Sequence, residues 1–166
     1  MSRSMGALTA DTSASSLMLK RILQFSNVNA TLVDASETSA LTLLQAEEFA
    51  LVIGDDALRA RLEDHNIVLD IGEEWWKLTG TPAVFAVTAA VEENYNSSRE
   101  EFAVVEKRLR KIVLEMNGLN EVAESSSRKS GLPLDLILEY FRNLRFNYDR
   151  SVDQGLRRLS GIIDRP

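Results

Sequence analysis

Residues 11–16 read Asp-Thr-Ser-Ala-Ser-Ser and have the composition of a turn that starts a helix. The first turn of a helix leaves backbone N–H groups without partners and carries the positive end of the helix dipole. The hydroxyl groups of Thr12, Ser13, Ser15 and Ser16 add further donors, so this turn could bind a carboxylate. Ordinary capping of the helix is the alternative interpretation, and the residue types alone leave both open.

A second polar turn, Gly54, Asp55 and Asp56, follows an apolar run of strand length. A carboxylate at the end of a buried strand can position a ligand, or it can cap the helix that follows. We interpret Asp56 as a helix cap and keep both roles open for Asp55.

The third polar segment contains Glu73 and Glu74, followed by two tryptophans. Adjacent carboxylates suggest acid–base chemistry, but neighbouring residues on a helix point in different directions. We therefore predict that the two glutamates begin a helix and that Trp75 and Trp76 contribute to the core.

Alternating strands and helices are predicted to position these three segments. The continuous apolar run at 49–53 is typical of a strand that is buried on both faces of a parallel sheet. The order of elements predicts an α/β fold with a parallel sheet. The predicted strands cover residues 7–10, 30–34, 49–53 and 67–69, and the predicted helices begin near residues 11–16, 36–39 and 54–56.

The second half of the chain is predicted to be mainly helical after one strand at 83–89. This gives an α/β lobe with a hinge at 1–82, and a strand plus C-terminal helices at 83–166. The predicted helices cover residues 97–116, 119–129, 134–144 and 151–163. Five of their apolar residues lack an obvious cover, so we expect self-association, a partner, or repacking on the 83–89 strand. These residues are Phe102, Leu109, Leu136, Ile137 and Phe141.

Composition excludes several classes of protein. The 166 residues include no cysteine and one histidine, and the formal net charge is −6. Without cysteine there is no disulfide, thiolate metal site or cysteine nucleophile, which is compatible with a reducing cytoplasm. A single histidine, His65, cannot form a metal site or a catalytic triad alone. The negative charge argues against nucleic-acid binding, and a run of about 18 apolar residues that could span a membrane is absent from the sequence.

Residues 53–58 read I-G-D-D-A-L, and residues 70–86 read D-I-G-E-E-W-W-K-L-T-G-T-P-A-V-F-A. These segments resemble the chorismate dehydratase family of the futalosine route to menaquinone, with its patterns I-G-D-x-A-L and D-L-G-E-E-W-x-x-L-T-G-L-P-F-V-F-A. The turn at 11–16 resembles the family's D-T-S-S-R-T-S but is shorter and lacks the arginine. The resemblance extends from about residue 6 to about residue 159.

The resemblance implies a type 2 periplasmic-binding-protein-like fold, in which two α/β lobes close on a ligand. Residues 6–69 correspond to the second lobe, and residues 83–166 to the returning strand and C-terminal helices of the first lobe. We expect the N-terminal sheet of the first lobe to be missing. With it go the asparagine of the family's Y-L-N motif and the serine of its S-S-x-E-Y motif, so the catalytic residues are unknown.

The implied reaction is the loss of water from chorismate to give 3-[(1-carboxyvinyl)oxy]benzoate, which needs neither a cofactor nor a metal. We expect a cytoplasmic protein that is inactive alone, or one part of a split enzyme whose partner chain supplies the missing half. A non-enzymatic module that binds small anions or other proteins is the alternative. Gly54 occupies the position of a histidine in the sister enzyme of the pathway, which argues against that sister activity. The substrate-binding residues implied are Thr12, Ser13, Ser15, Ser16, Asp55, Thr81 and Phe85.

Overall fold

The computed structural model describes residues 5–9, 14–34, 42, 44–45, 48–63, 65–89, 91–114 and 118–163. The strands are β1 Met5–Thr9, β2 Ala30–Asp34 and β3 Phe49–Ala50. The helices are α1 Ala14–Phe25, α2 Gly54–Leu62, α3 Ile71–Thr79, α4 Glu92–Ser97, α5 Arg99–Leu114, α6 Leu119–Ser130, α7 Leu134–Asn143 and α8 Arg150–Ile163. The helix predicted to begin at 36–39 lies mostly outside the described residues.

The three strands form one parallel sheet in the order β2-β1-β3. Met5 is aligned with Ala30 and Thr9 with Asp34, while Ala7 is aligned with Phe49. Parallel neighbours need a crossover connection, and α1 supplies it between β1 and β2. The predicted parallel pairing of these strands is therefore confirmed.

Two predicted strands are wrong. Residues 67–69 and 83–89 are not assigned to any strand, and the third strand ends at Ala50 rather than at Ile53. Apolar and β-branched residues favour an extended chain, but a strand also needs a neighbour to complete its hydrogen bonds. Within the described residues, no backbone hydrogen bond joins 67–69 or 83–89 to another segment.

The chain divides into two compact units, Met1–Ala86 with Asp149–Pro166, and Val87–Tyr148. The sequence placed the last helix with the second domain, whereas the structure groups α8 with the first unit. The reason is that α8 contributes Leu159 to a buried cluster with Met18 and Trp75. This cluster, called the Trp75 core below, is the centre of the first unit.

The second unit contains a helical hairpin of α6 and α7. Gly131 ends α6 in the left-handed conformation (φ 72°), and the Ser127 hydroxyl donates to the Leu132 carbonyl at 2.6 Å. Leu136 and Ile137 are buried, so the expectation that they lack a cover is wrong. Phe102 and Leu109 on α5, by contrast, are exposed as expected.

Within the described ranges, no helix is long and apolar enough to cross a membrane. The same residues contain no group of three or more histidine and acidic side chains that could hold a metal ion. His65, the one histidine of the sequence, lies 3.2 Å from the Glu63 carboxylate.

Candidate functional site

The first turn of α1 is the strongest candidate for a ligand-binding element. Thr12 and Ser13 lie outside the described residues. Ser15 and Ser16 lie in the first turn, and both are buried. Because serine is mostly found at the surface, two consecutive buried serines at a helix start indicate a polar position within the packed structure. The N–H groups and the positive dipole end of a helix's first turn generally favour a carboxylate.

The Trp75 core fixes the position of this turn. Ala14 and Leu17 of α1 pack against the core, as do Ile71 at the start of α3 and Ala83 after it. The starts of two helices and the segment that follows α3 therefore share one set of contacts. A substitution that alters the packing of the core should therefore also displace the first turn of α1, called the serine turn below, because Ala14 in that turn packs against the core.

The start of α3 is capped and ion-paired by side chains of its own segment. Asp70 is the N-cap, and its carboxylate accepts a hydrogen bond from the Glu73 N–H at 2.8 Å. Lys77 pairs with Glu73 at 2.8 Å and with Glu74 at 2.6 Å. The Lys77 ammonium donates in these hydrogen bonds, and they raise its pKa above the ordinary value, the bond to Glu73 contributing most. The prediction that the two glutamates begin a helix is confirmed.

We expect Asp70→Ala to lower the free energy of unfolding by about 1 kcal/mol, because the Glu73 N–H loses its acceptor. Asp55→Ala is the matched control, since Asp55 lies in the first turn of α2 but is not its N-cap. It should cost only the dipole interaction, a few tenths of a kcal/mol. Urea unfolding of both variants measures the difference, and equal losses would contradict the capping role of Asp70.

The second predicted polar turn differs from the prediction in one respect. The N-cap of α2 is Ile53, whose side chain cannot accept a hydrogen bond, so the interpretation of Asp56 as the cap is wrong. Gly54 enters the helix with φ 62°, and the two aspartates fall within the first turn instead. Asp55 is exposed, and no contact described in the structure brings it to Ser15 or Ser16.

The segment after α3 is held by a pair of threonines. The Thr79 hydroxyl lies 2.8 Å from the Trp75 carbonyl oxygen and can donate its proton there. It accepts from the Thr81 N–H at 3.1 Å, and the Thr81 hydroxyl lies 2.9 Å away. The Thr81 carbonyl oxygen lies 3.3 Å from the Thr79 hydroxyl as well, and either hydroxyl can donate in the contact between the two side chains. These contacts hold the Thr81 side chain against Thr79, beside the end of α3.

Phe85 lies next to the start of α3. A Cβ atom placed on Gly72 would be 3.8 Å from Phe85 Cζ and 3.3 Å from Asp70 Oδ1. About half of the Phe85 side chain is exposed. The structure thus brings Phe85 close to the capped turn of α3, and its free face is available to a ligand or a partner.

Sequence reasoning missed two positioning residues, Asp70 and Thr79. Asp70 had a signal, because Asp70 and Glu73 have the spacing of a capping box, which would have identified the cap. Here Glu73 pairs with Lys77 rather than with the cap residue. Thr79 had no comparable signal, because its role depends on the hydroxyl reaching the carbonyl one turn earlier.

Comparison with known protein families identifies the chain. The family model described as Menaquinone biosynthesis matches residues 6–165, which is nearly the whole sequence. The match includes the serine turn, both polar segments that follow it and all eight helices described above. The chain belongs to this menaquinone-biosynthesis family, as its resemblance to the chorismate dehydratases indicated.

Proposed function

We propose that this chain is a chorismate dehydratase-like component of menaquinone biosynthesis. The observation that carries the proposal is the family match over residues 6–165. In the proposed reaction, chorismate loses a ring proton and its ring hydroxyl as one water molecule and becomes 3-[(1-carboxyvinyl)oxy]benzoate. The proposal includes a type 2 periplasmic-binding-protein-like fold, of which this chain forms an α/β lobe and part of the other lobe. It also places the protein in the cytoplasm.

The role we assign to the described residues is substrate orientation. The first turn of α1, in which Ser15 and Ser16 are buried, holds a carboxylate of chorismate through the positive end of the helix dipole and the Ser15 hydroxyl. Phe85 supplies an apolar surface beside the neighbouring helix. Orientation can contribute strongly to rate, but elimination also needs a group that removes the proton and one that assists the leaving hydroxyl.

We propose that these chemical groups come from a second polypeptide, which carries the family's Y-L-N and S-S-x-E-Y motifs. The purified chain alone should give no measurable dehydration of chorismate. Acid–base groups typically contribute factors of about 10²–10⁴ each, so their loss removes detectable turnover. An open reading frame beside this gene that encodes Y-L-N-x-x-P-L would identify the partner to be co-purified.

The test follows the conversion of chorismate by the chain alone and by the chain mixed with that partner. Activity of the mixture alone supports the proposal, and it should fall at least about tenfold in Ser15→Ala, which removes one donor to the carboxylate. Ser26→Ala is the matched control, because Ser26 follows the opposite end of α1 and is exposed. Turnover by the chain alone would contradict the need for a partner, and inactivity of both would support the non-enzymatic alternative.

A further inference from the structure

Helices α4 and α5 form one nearly continuous surface helix. The Ser98 N–H donates to the Asn94 carbonyl at 3.1 Å, and the Phe102 N–H donates to the Ser98 carbonyl at 3.0 Å. The helical hydrogen-bond spacing therefore continues through the junction between the two helices. The rings of Tyr95 and Phe102, seven residues apart, lie with their centroids 5.5 Å from each other.

This helix has an uncovered apolar stripe, which we define as Tyr95, Phe102, Val105 and Leu109. All four side chains are exposed, Val105 and Leu109 by more than half. Tyr95, Phe102 and Leu109 repeat every seven residues, and Val105 falls between the last two. Alternating spacings of three and four are those of the contact positions of a coiled coil. The occupant that fits such a stripe is therefore another helix.

The charges beside the stripe distinguish the possible partners. Glu101 and Arg108 follow one edge of the stripe, while Arg99 and Glu106 follow the other. Two parallel copies would place Glu101 of one chain against Glu106 of the other, which is repulsive. Two antiparallel copies, with Phe102 facing Val105 of the second copy, place each glutamate opposite an arginine.

In that antiparallel arrangement Glu101 lies opposite Arg108 of the second copy, and Arg99 opposite Glu106 of the second copy. Symmetry repeats each pair, which gives four pairs along the two edges. Glu106 already pairs with Arg110 of its own chain at 2.9 Å, so the two Glu101–Arg108 pairs carry most of the discrimination. Within the described residues, no ion pair or hydrogen bond of a side chain uses Glu101 or Arg108 in the single chain. Both groups are therefore available for contacts with another molecule.

We propose that this chain binds a second copy of itself through the α4–α5 stripe, as an antiparallel helical pair. The two-fold axis passes between residues 103 and 104. The apolar stripes cover one another, and the edge charges fix both direction and register. The residues of this interface differ from those assigned to substrate orientation.

Charge reversal tests direction and register. Glu101→Arg and Arg108→Glu should each weaken the dimer about tenfold or more, because each converts two attractive contacts into repulsive ones. The double variant should recover to within about threefold of the original dissociation constant. Lys107→Glu is the matched control: it changes the charge equally but lies on the face of α5 opposite the stripe, so the constant should change little. Sedimentation equilibrium at low salt measures the dissociation constants of these four variants and of the original chain.

Cysteine cross-linking tests the same geometry independently, since the natural sequence has no cysteine. An equimolar mixture of Phe102→Cys and Val105→Cys should form the mixed disulfide in preference to either self-linked product. Preferential linking of Phe102→Cys to itself would indicate a parallel pair and overturn the proposal. A chain that stays monomeric at its highest soluble concentration would overturn it as well, and so would a dimer that Leu109→Asp leaves intact.

Discussion

Trp75→Ala is expected to lower the free energy of unfolding by about 3–5 kcal/mol, the loss typical of truncating a large aromatic side chain in a core. The Trp75 side chain is 1% exposed and packs against Met18 and Leu159. Its removal leaves a cavity at the point where α1, α3 and α8 meet. In a chain of this size each kcal/mol lowers the melting temperature by about 2–4 °C, so a fall of about 10 °C should be seen by calorimetry.

Trp76→Ala is the matched control, because it removes the same side chain from the next position of the same helix. About half of Trp76 is exposed, so its loss should cost less than about 1 kcal/mol. The sequence has two tryptophans, and each variant therefore leaves one fluorescent reporter. The remaining Trp75 should emit at shorter wavelength than the remaining Trp76. Equal losses of stability would contradict the assignment of Trp75 to the core.

Trp75→Phe separates packing from hydrogen bonding. In the described part of the chain, Trp75 Nε1 is a buried donor with no partner, and such a group costs about 1–3 kcal/mol. Phenylalanine removes this unpaired donor while keeping most of the apolar volume. The loss should be less than half of that in Trp75→Ala, and a similar loss in both would show that Nε1 has a partner in solution.

The contrast between the two tryptophans illustrates what the sequence could predict. Their position in a helix followed from the two glutamates before them, and the structure confirms that helix. The prediction that both tryptophans are buried is wrong for Trp76. Consecutive helical residues point about 100° apart, and only one face of the helix meets the core. Residue type predicted the helix, whereas burial depended on the direction from which α1 and α8 approach.

The strands also show that local preference is predictable from the sequence and that contacts between segments are not. The segment at 30–34 formed a strand with β1 beside it, but the more apolar 83–89 did not. Strand propensity is a property of the segment, while a ladder of hydrogen bonds is a property of a pair of segments. The start of α1 near Ala14 was predictable because the residue preferences of a helix start are local. The hydrogen bond between the Thr79 and Thr81 hydroxyls was not predictable, since it depends on the path of the chain after Gly80.

Gly155→Ala is expected to destabilise the first unit, although alanine is the better helix former. A Cβ atom at Gly155 would overlap the Pro82 carbonyl oxygen and lie 3.2 Å from Val84 Cγ2. The backbone oxygen cannot move aside as a flexible side chain would, so α8 must shift from the segment that follows α3. Overpacking of this kind costs about 1–3 kcal/mol, against a gain of up to about 1 kcal/mol from helix propensity.

Gly161→Ala supplies the control within the same helix. Among the described residues, no heavy atom lies within 4 Å of a Cβ placed on Gly161, so the propensity gain is unopposed. Stability should rise by about 0.5–1 kcal/mol. Urea unfolding of the two variants should therefore give changes of opposite sign. If both substitutions stabilised the chain, the close packing of α8 on residues 82–84 would be wrong, and with it the place of Leu159 in the Trp75 core.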